Sequence, residues 1–581
     1  MKTARHPACG PGCAGARWLL ALLMCSVLAA CGGGGGSTGN SASSSTSSGA
    51  DSTHAAFTLG LSGGAYRDVT HVWVTVGSVA LHPQASQAWS SSDRSWTVLK
   101  LETPVVIDLA VPDTSQGNVT PIFNGLSVPA GTYGQIRVFP LAHDAALDDA
   151  AAAKGLSYNA QVNYKDAGGI ARTVPLELPS PELGWRLPGS FTMAANSGSY
   201  VVMGTDLLQG LVRMSSPDGI DRFSFRPSLR SYDMATSGAI IGQLDPTLIC
   251  GGASAPAAPN CAEDIVVSAQ SLSADGQRHV SVRQYRLSGT SGGFALYPLP
   301  SDTRYDVVIT GRHMQTMLIK DVAVSAFSVL ITLDWTTLGT SSDPIRPVIT
   351  PATPRTVNLA SAMSPPGSQL YFGQTLGSVT QPYEVALSNV DILSGTLAQP
   401  LALPQGPVSL ATYAAPTTDS GTGVTTYPPL VFADTVPQEG SDAFSVMALG
   451  TAYDDPGASS VQAPALGTAS TITVANPVRQ AALGIGQIQV NLTGSLSSTY
   501  DGARLIVSDV NGVVASQAVT GSGSVVVNVP AGSQAAALGG TAVYTVALRA
   551  AGHTGSLRWV RATSVVDLRS SASAAVTLAL P

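Results

Sequence analysis

Charge is scarce in this sequence. Only 11% of its 581 residues are Asp, Glu, Lys or Arg, against about a quarter in an average soluble domain, and they form no long run of one sign. The formal net charge is −7, and it becomes more negative if the basic residues Lys2, Arg5 and Arg17 are removed with a leader. Such a chain cannot neutralise a phosphate backbone or an anionic bilayer surface, which excludes nucleic acid as a natural partner. Aromatics are sparse at 6%. Long apolar runs are missing after the first thirty residues, which excludes a later transmembrane helix of about 20 residues. Metal-binding patterns are missing too: there is no His-Glu-x-x-His and no Asp-rich loop of EF-hand spacing. No cofactor or metal is expected.

Cysteine is nearly absent from the part expected to fold. Of six cysteines, Cys9, Cys13 and Cys25 lie in the leader and Cys31 at its end, leaving Cys250 and Cys261. Two cysteines in an oxidising compartment predict one disulfide, closing the loop Gly251 to Asn260. Chain-entropy reasoning gives a loop that short about 3 kcal/mol.

What is present begins with an address. Lys2, Arg5 and Arg17 precede an apolar run from Trp18 to Ala30, too short to span a bilayer stably, which reads as a signal peptide. The run ends in Leu28-Ala29-Ala30-Cys31, which resembles the bacterial lipobox. The resemblance implies cleavage before Cys31, acylation of its thiol and insertion of the lipid into the bilayer. Gly32 follows where some lipoproteins carry a retention aspartate, so the resemblance favours the outer membrane. Gly32 to Gly36 and Ser37 to Thr53 have almost nothing to bury and read as a flexible tether with a reach of roughly 25–30 Å.

The rest reads as sheet. Length allows roughly three to four domains, and the composition, rich in Gly, Ser, Thr, Ala and Val, favours strands. Val72, Val74 and Val76 alternate along His71 to Val76 as in a half-buried strand. Val128-Pro129-Ala130-Gly131-Thr132-Tyr133 is turn chemistry feeding another strand. With His82-Pro83, Val106-Ile107-Asp108-Leu109 and Phe225-Arg226-Pro227-Ser228-Leu229-Arg230, these segments make residues 55–233 resemble the bacterial domain of unknown function 4382, found mostly in envelope lipoproteins. That resemblance implies a β fold and an envelope address but no established activity. One departure stands out: Ser62-Gly63-Gly64-Ala65 replaces the Asp-Ala-Pro turn usual after the first strand.

Residues 237–338 hold strand-length segments at Gly238 to Leu244, Ile265 to Ala269, Gly293 to Pro300 and Tyr305 to Ile309. They resemble the carboxypeptidase regulatory-like family of transthyretin-like sandwiches, which implies an accessory module without an active site. A Pro- and Thr-rich junction, 341–354, precedes a β-rich region, 356–476. The last region, 482–581, contains two apolar strands meeting at Asn511-Gly512, a strong hairpin signal. Its Val529-Pro530-Ala531-Gly532 and Tyr544 echo the earlier Pro–turn–Tyr pattern at a different spacing, which reads as shared turn chemistry and not as a repeat.

Candidates for chemistry are few. Gly60-Leu61-Ser62-Gly63-Gly64 and Gly289-Thr290-Ser291-Gly292-Gly293 satisfy the nucleophile-elbow pattern, but a chain with 60 glycines produces on the order of one such match by chance, and neither has a strand–turn–helix context. Asp148-Asp149, Asp454-Asp455 and Glu263-Asp264 read as solvated loop carboxylates. Trp73, Trp89, Trp96 and Trp185 all fall in the first module. Trp73 reads as core on its alternating strand, while Trp89 and Trp96, flanking Ser90 to Ser95, are the candidates for a contact surface.

The sequence therefore predicts an all-β protein of about four tandem sandwich-like modules behind a signal peptide (1–30) and tether (31–54). It predicts a non-enzymatic envelope lipoprotein with a binding, adhesion or structural role, at the outer membrane. The alternatives are a surface that binds a glycan or a protein segment, and an envelope hydrolase. For the cysteines the expected outcome is concrete: thiol counting on the denatured, unreduced protein finds neither Cys250 nor Cys261 free, and two reactive thiols would rule the bridge out.

Overall fold

A computed structural model describes residues 53–581 apart from 67, 111–118, 167, 215–219, 245–264, 288–292, 312–315, 327–330, 334–354, several connections between 361 and 482, 538–541 and 553–556. The signal peptide, Cys31, most of the tether, Cys250, Cys261, Glu263-Asp264, Ser291, Asp455 and the 341–354 junction lie outside the described residues. Among the described residues no helix is long and apolar enough to cross a membrane.

The fold is all-β, built as separate sheets in tandem sandwich-like modules. One arrangement recurs. In the first module the opening strand His54–Ser62 lies antiparallel to Val119–Pro129 on one side and parallel to Gly198–Thr205 on the other. Ser237–Gln243 sits the same way between Gly293–Pro300 and Ile331–Leu333. So does Arg355–Ala360 between Gln399–Leu403 and Ala469–Thr473, and Gly484–Thr493 between Gly523–Ala531 and Ser573–Ala579.

Period-two patterning sets each core. Phe57, Leu59 and Leu61 of the opening strand meet Val72, Val74 and Val76 of Val69–His82, all fully buried. Because successive strand side chains point to opposite faces, burying those valines turns Trp73 outward. Trp73 is only half-buried, which corrects the expectation that it fills the core; Trp185 does fill it, against Phe225. In the last module Ile488, Val490 and Leu492 face in, while Gln487 and Gln489 are exposed.

The Pro–Tyr echo is a structural joint. Tyr133 Oη donates to Pro129 O (2.8 Å), Tyr305 Oη to Pro300 O (3.0 Å) and Tyr544 Oη to Pro530 O (2.6 Å). Each bond ties the chain across the corner where it leaves one sheet for the other, a device known from sandwich folds as a tyrosine corner. The separations are 4, 5 and 14 residues, the last being long because the short helix Ser533–Ala537 occupies that corner. The echo thus marks one corner in modules of one topology, which corrects its reading as turn chemistry alone.

The second and third modules are not separated by a break in pairing. Met317–Val324 takes Val408–Thr412 as a parallel neighbour, so one six-stranded sheet runs across the boundary. At the corner of the last module, Tyr544→Phe removes a fully buried hydroxyl and strands the Pro530 carbonyl. The expected cost is about 1–2 kcal/mol, read as a lower urea midpoint in hydrogen exchange of peptides from 484–581. An unchanged midpoint would remove the corner as a stabilising joint.

Candidate functional site

Polar side chains converge mainly where modules meet. At the first seam, the Ser62-Gly63-Gly64 turn ends the opening strand and receives Arg283 of the second module. The guanidinium donates to Ser62 Oγ (2.6 Å) and Gly63 O (2.6 Å), and Ser62 Oγ donates to Tyr297 O (3.2 Å). Ser62 is buried, and its hydroxyl is held by a cation. Its lone pair is taken by Arg283 and its proton is given to a backbone carbonyl and not to a base, so the elbow pattern there reflects a docking turn. Nearby, Arg230 donates to Ser281 O (2.7 Å) and Tyr232 Oη to Val282 O (3.0 Å).

Asp206 links local structure to the same seam. Its side chain caps the short helix Leu207–Gly210 by accepting from Leu208 N (3.0 Å), and it accepts from Gln284 Nε2 of the second module (2.5 Å). Burial pushes its carboxyl up to about 6, with Gln284 opposing and the charge of Glu384 adding to the rise. Glu384 belongs to the third module and clasps both others, accepting from Gln209 Nε2 (3.0 Å) and Ser281 N (2.7 Å). Beside it the Tyr383 ring stacks on His279 at 3.9 Å, and its hydroxyl donates to Asp306 (2.6 Å).

The second seam joins the first module to the last. The expected hairpin forms one residue earlier than Asn511-Gly512: Val510-Asn511 make its loop, Gly512 opens the return strand at a φ of 126° that favours glycine, and its tip lies against the first module. A Cβ at Gly512 would come within 3.2 Å of the Arg226 side chain. Ser180 Oγ donates to Asp509 O (2.7 Å), Arg549 to Glu177 (2.8 Å), and Arg561 to Leu178 O (3.0 Å) and Asp144 (3.2 Å). His143 packs edge-on to Trp559 at 5.6 Å, and burial pushes its imidazole down to about 4.

The two tryptophans picked as contact candidates lie behind this seam. Trp96 is buried, in contact with His82 at 4.8 Å and Trp89 at 5.1 Å, while Trp89 is half-buried and touches Phe139 at 4.5 Å. Arg137 lies over Trp96 and donates to Leu183 O (2.7 Å) and Gln135 Oε1 (3.1 Å). Burial pushes Arg137 down to about 9 and Asp509 up to about 7, each partly offset by the opposite charge of the other. Trp89 alone of the pair offers ring surface to a ligand.

A third cluster lies on the outer face of the first module. His71 Nδ1 meets Asp108 Oδ2 at 2.7 Å and its ring stacks on Trp73 at 5.0 Å, with Lys154 over the same indole at 5.1 Å. Asp108 also accepts from Val72 N and Ala110 N, and burial holds its carboxyl above the usual range. Two sequence segments that carried the family resemblance meet in this pair. Asp148 caps the helix Asp149–Ala153 through Ala150 N, which gives that one carboxylate of the pair a structural task. No group of three potential metal ligands occurs among the described residues.

Residues 54–227 match the family described as a domain of unknown function, DUF4382. No curated protein matches the chain. Among solved structures, the Bacillus anthracis TIE protein is 8% identical, with 88% of this chain and 68% of that one covered and a TM-score of 0.15. The shaft pilin SpaA of Lactobacillus rhamnosus GG is 12% identical over 39% of this chain and 99% of its own, also at 0.15. BcpA, the major pilin subunit of Bacillus cereus, is 10% identical over 59% and 99%, at 0.12.

The raised carboxyl of Asp206 sets a pH dependence. A carboxyl whose folded pKa lies above its unfolded value of 3.8 is tolerated best when neutral, so its stability is fully present below about pH 4 and is lost as pH rises through about 6. Asp206→Asn keeps the helix cap, and rotation of the Gln284 amide can meet its NH2. Wild type is therefore expected to lose about 2 kcal/mol relative to Asp206→Asn between pH 4 and pH 7, measured by denaturant unfolding. Parallel pH profiles would remove Asp206 as the titrating group.

Proposed function

We propose that this chain is a membrane-anchored, non-enzymatic envelope lipoprotein whose sandwich modules form a structural or adhesive body at the outer membrane. The observation that carries this reading is the use of its buried charged groups. Arg283 and Glu177 are buried, Asp206 and Arg549 are nearly so, and all four bond across seams between modules, where they hold one arrangement of the body. The match to a family found mostly in envelope lipoproteins over residues 54–227, the signal peptide and the lipobox-like Leu28 to Cys31 support the address.

A second reading rests on Trp89, whose half-buried ring beside the polar segment Ser90 to Ser95 suits a glycan or a peptide. Two outcomes check these statements. Metabolic fatty-acid labelling marks the wild type and spares Cys31→Ser; equal labelling would remove the anchor. On a glycan array, Trp89→Ala abolishes binding if that surface acts, and wild-type behaviour of the variant would discard it.

A further inference from the structure

Several open sheet edges of this protein are blunted against further pairing. Val119–Pro129 carries Pro121 and Pro129 and breaks register twice against its neighbour. Trp185–Met193 carries Arg186 and Pro188, and Leu557–Arg561 carries Arg558 and Arg561. Proline, charge and bulges are the usual means by which natural sheets avoid pairing with another chain, and so is a short edge.

The closing strand of the last module has none of these protections. Ser573–Ala579 is seven residues long, contains no charge and no proline, and pairs with Gly484–Thr493 in unbroken parallel register. Among the described residues no strand pairs with its other side. In this ladder Ala572 O accepts from Gln487 N, and Leu580 N donates to Thr493 O. Parallel hydrogen bonding alternates along a strand, so Ala574, Val576 and Leu578 use their backbone groups inward. The N–H and C=O groups of Ala575, Thr577 and Ala579 face outward, while those of Ser573 are met by the Ser571 hydroxyl. Their side chains are exposed, and none of the three strands in this sheet carries a charge. The chain already joins two of its bodies by edge pairing, at Met317–Val324 and Val408–Thr412.

We propose that the outward edge of Ser573–Ala579 is a strand-addition surface whose occupant is the same edge of a second copy of this chain. Antiparallel self-pairing about a two-fold axis gives each copy what the other lacks: Ala575 and Thr577 exchange backbone hydrogen bonds with their counterparts, and no like charges oppose the approach. The chemistry selects an uncharged extended strand, and an identical strand meets that condition.

The test uses the full-length lipoprotein, purified in detergent, with Ala575→Cys or Thr577→Cys and a short bis-maleimide cross-linker. The wild type sets the background from its own cysteines, and circular dichroism checks that each variant keeps its sheet content. Both edge positions are expected to give a covalent dimer above background. Gln489→Cys, on the open face of the same sheet, is expected to give none, and adding Ala575→Lys to Thr577→Cys is expected to abolish the dimer. Monomer alone from both edge positions, equal dimer from Gln489→Cys, or a dimer indifferent to Ala575→Lys would each overturn the proposal.

Discussion

A guanidinium or carboxylate taken out of water costs several kcal/mol unless its protons and lone pairs are met, and this protein places such groups between its modules. Arg283 is the sharpest case. Its charge reaches the end of the first module's opening strand and bonds Ser62 and Gly63 there. Without the docked first module those bonds return to water, and without Arg283 the buried Ser62 hydroxyl and Gly63 carbonyl lose their donor. Asp206, held by Gln284, and Glu177, held by Arg549, repeat the logic at two seams. Each group is acceptable only with its partner module in place, so module packing and charge burial are one constraint.

Within the modules the governing device is different. The opening strand sits in mid-sheet, pinned on both sides, and the chain then crosses to the facing sheet at a corner fixed by a tyrosine hydroxyl on a proline carbonyl. Proline supplies a fixed φ and a carbonyl without a competing N–H, and the ring of the tyrosine fills the end of the core. The corner tolerates insertions because the bond closes in space. The helix Ser533–Ala537 lies within the last corner without displacing Tyr544 from Pro530.

Local patterns were legible in the sequence, and long-range ones were not. The alternation of Val72, Val74 and Val76 located a strand, the hairpin expected at Asn511-Gly512 formed one residue earlier with Val510-Asn511 as its loop and a positive φ at Gly512 but not at Asn511, and the Pro–Tyr echo marked true corners. Trp73 was misplaced because its place on an alternating strand was taken as burial, although the valines on either side already hold the inward parity. Trp96 looked free because residues packed on it, His82 and Arg137, come from other strands. The seams were illegible for the same reason. Arg283 and Ser62 are separated by 221 positions and Arg549 and Glu177 by 372, and no periodicity relates them. The one available hint was compositional: in a chain so poor in charge, each charged residue is a candidate for a specific task.

That poverty of charge also bears on why the seams are polar at all. Replacing a buried ion pair by well-packed apolar residues is often neutral or stabilising, so stability alone does not require Arg283, Arg549 or Asp206. Four modules of one topology, however, present similar outer faces, and tandem similar domains are prone to docking wrongly or swapping strands. Apolar faces would be nearly interchangeable. A guanidinium that fits the Ser62-Gly63 turn, a carboxylate that needs Gln284, and a Glu177 that needs Arg549 penalise every other pairing by the full cost of an unpaired buried group. The first module holds complementary groups for the second, the third and the last. The few charges this chain possesses therefore act as the code that tells its similar sandwiches apart.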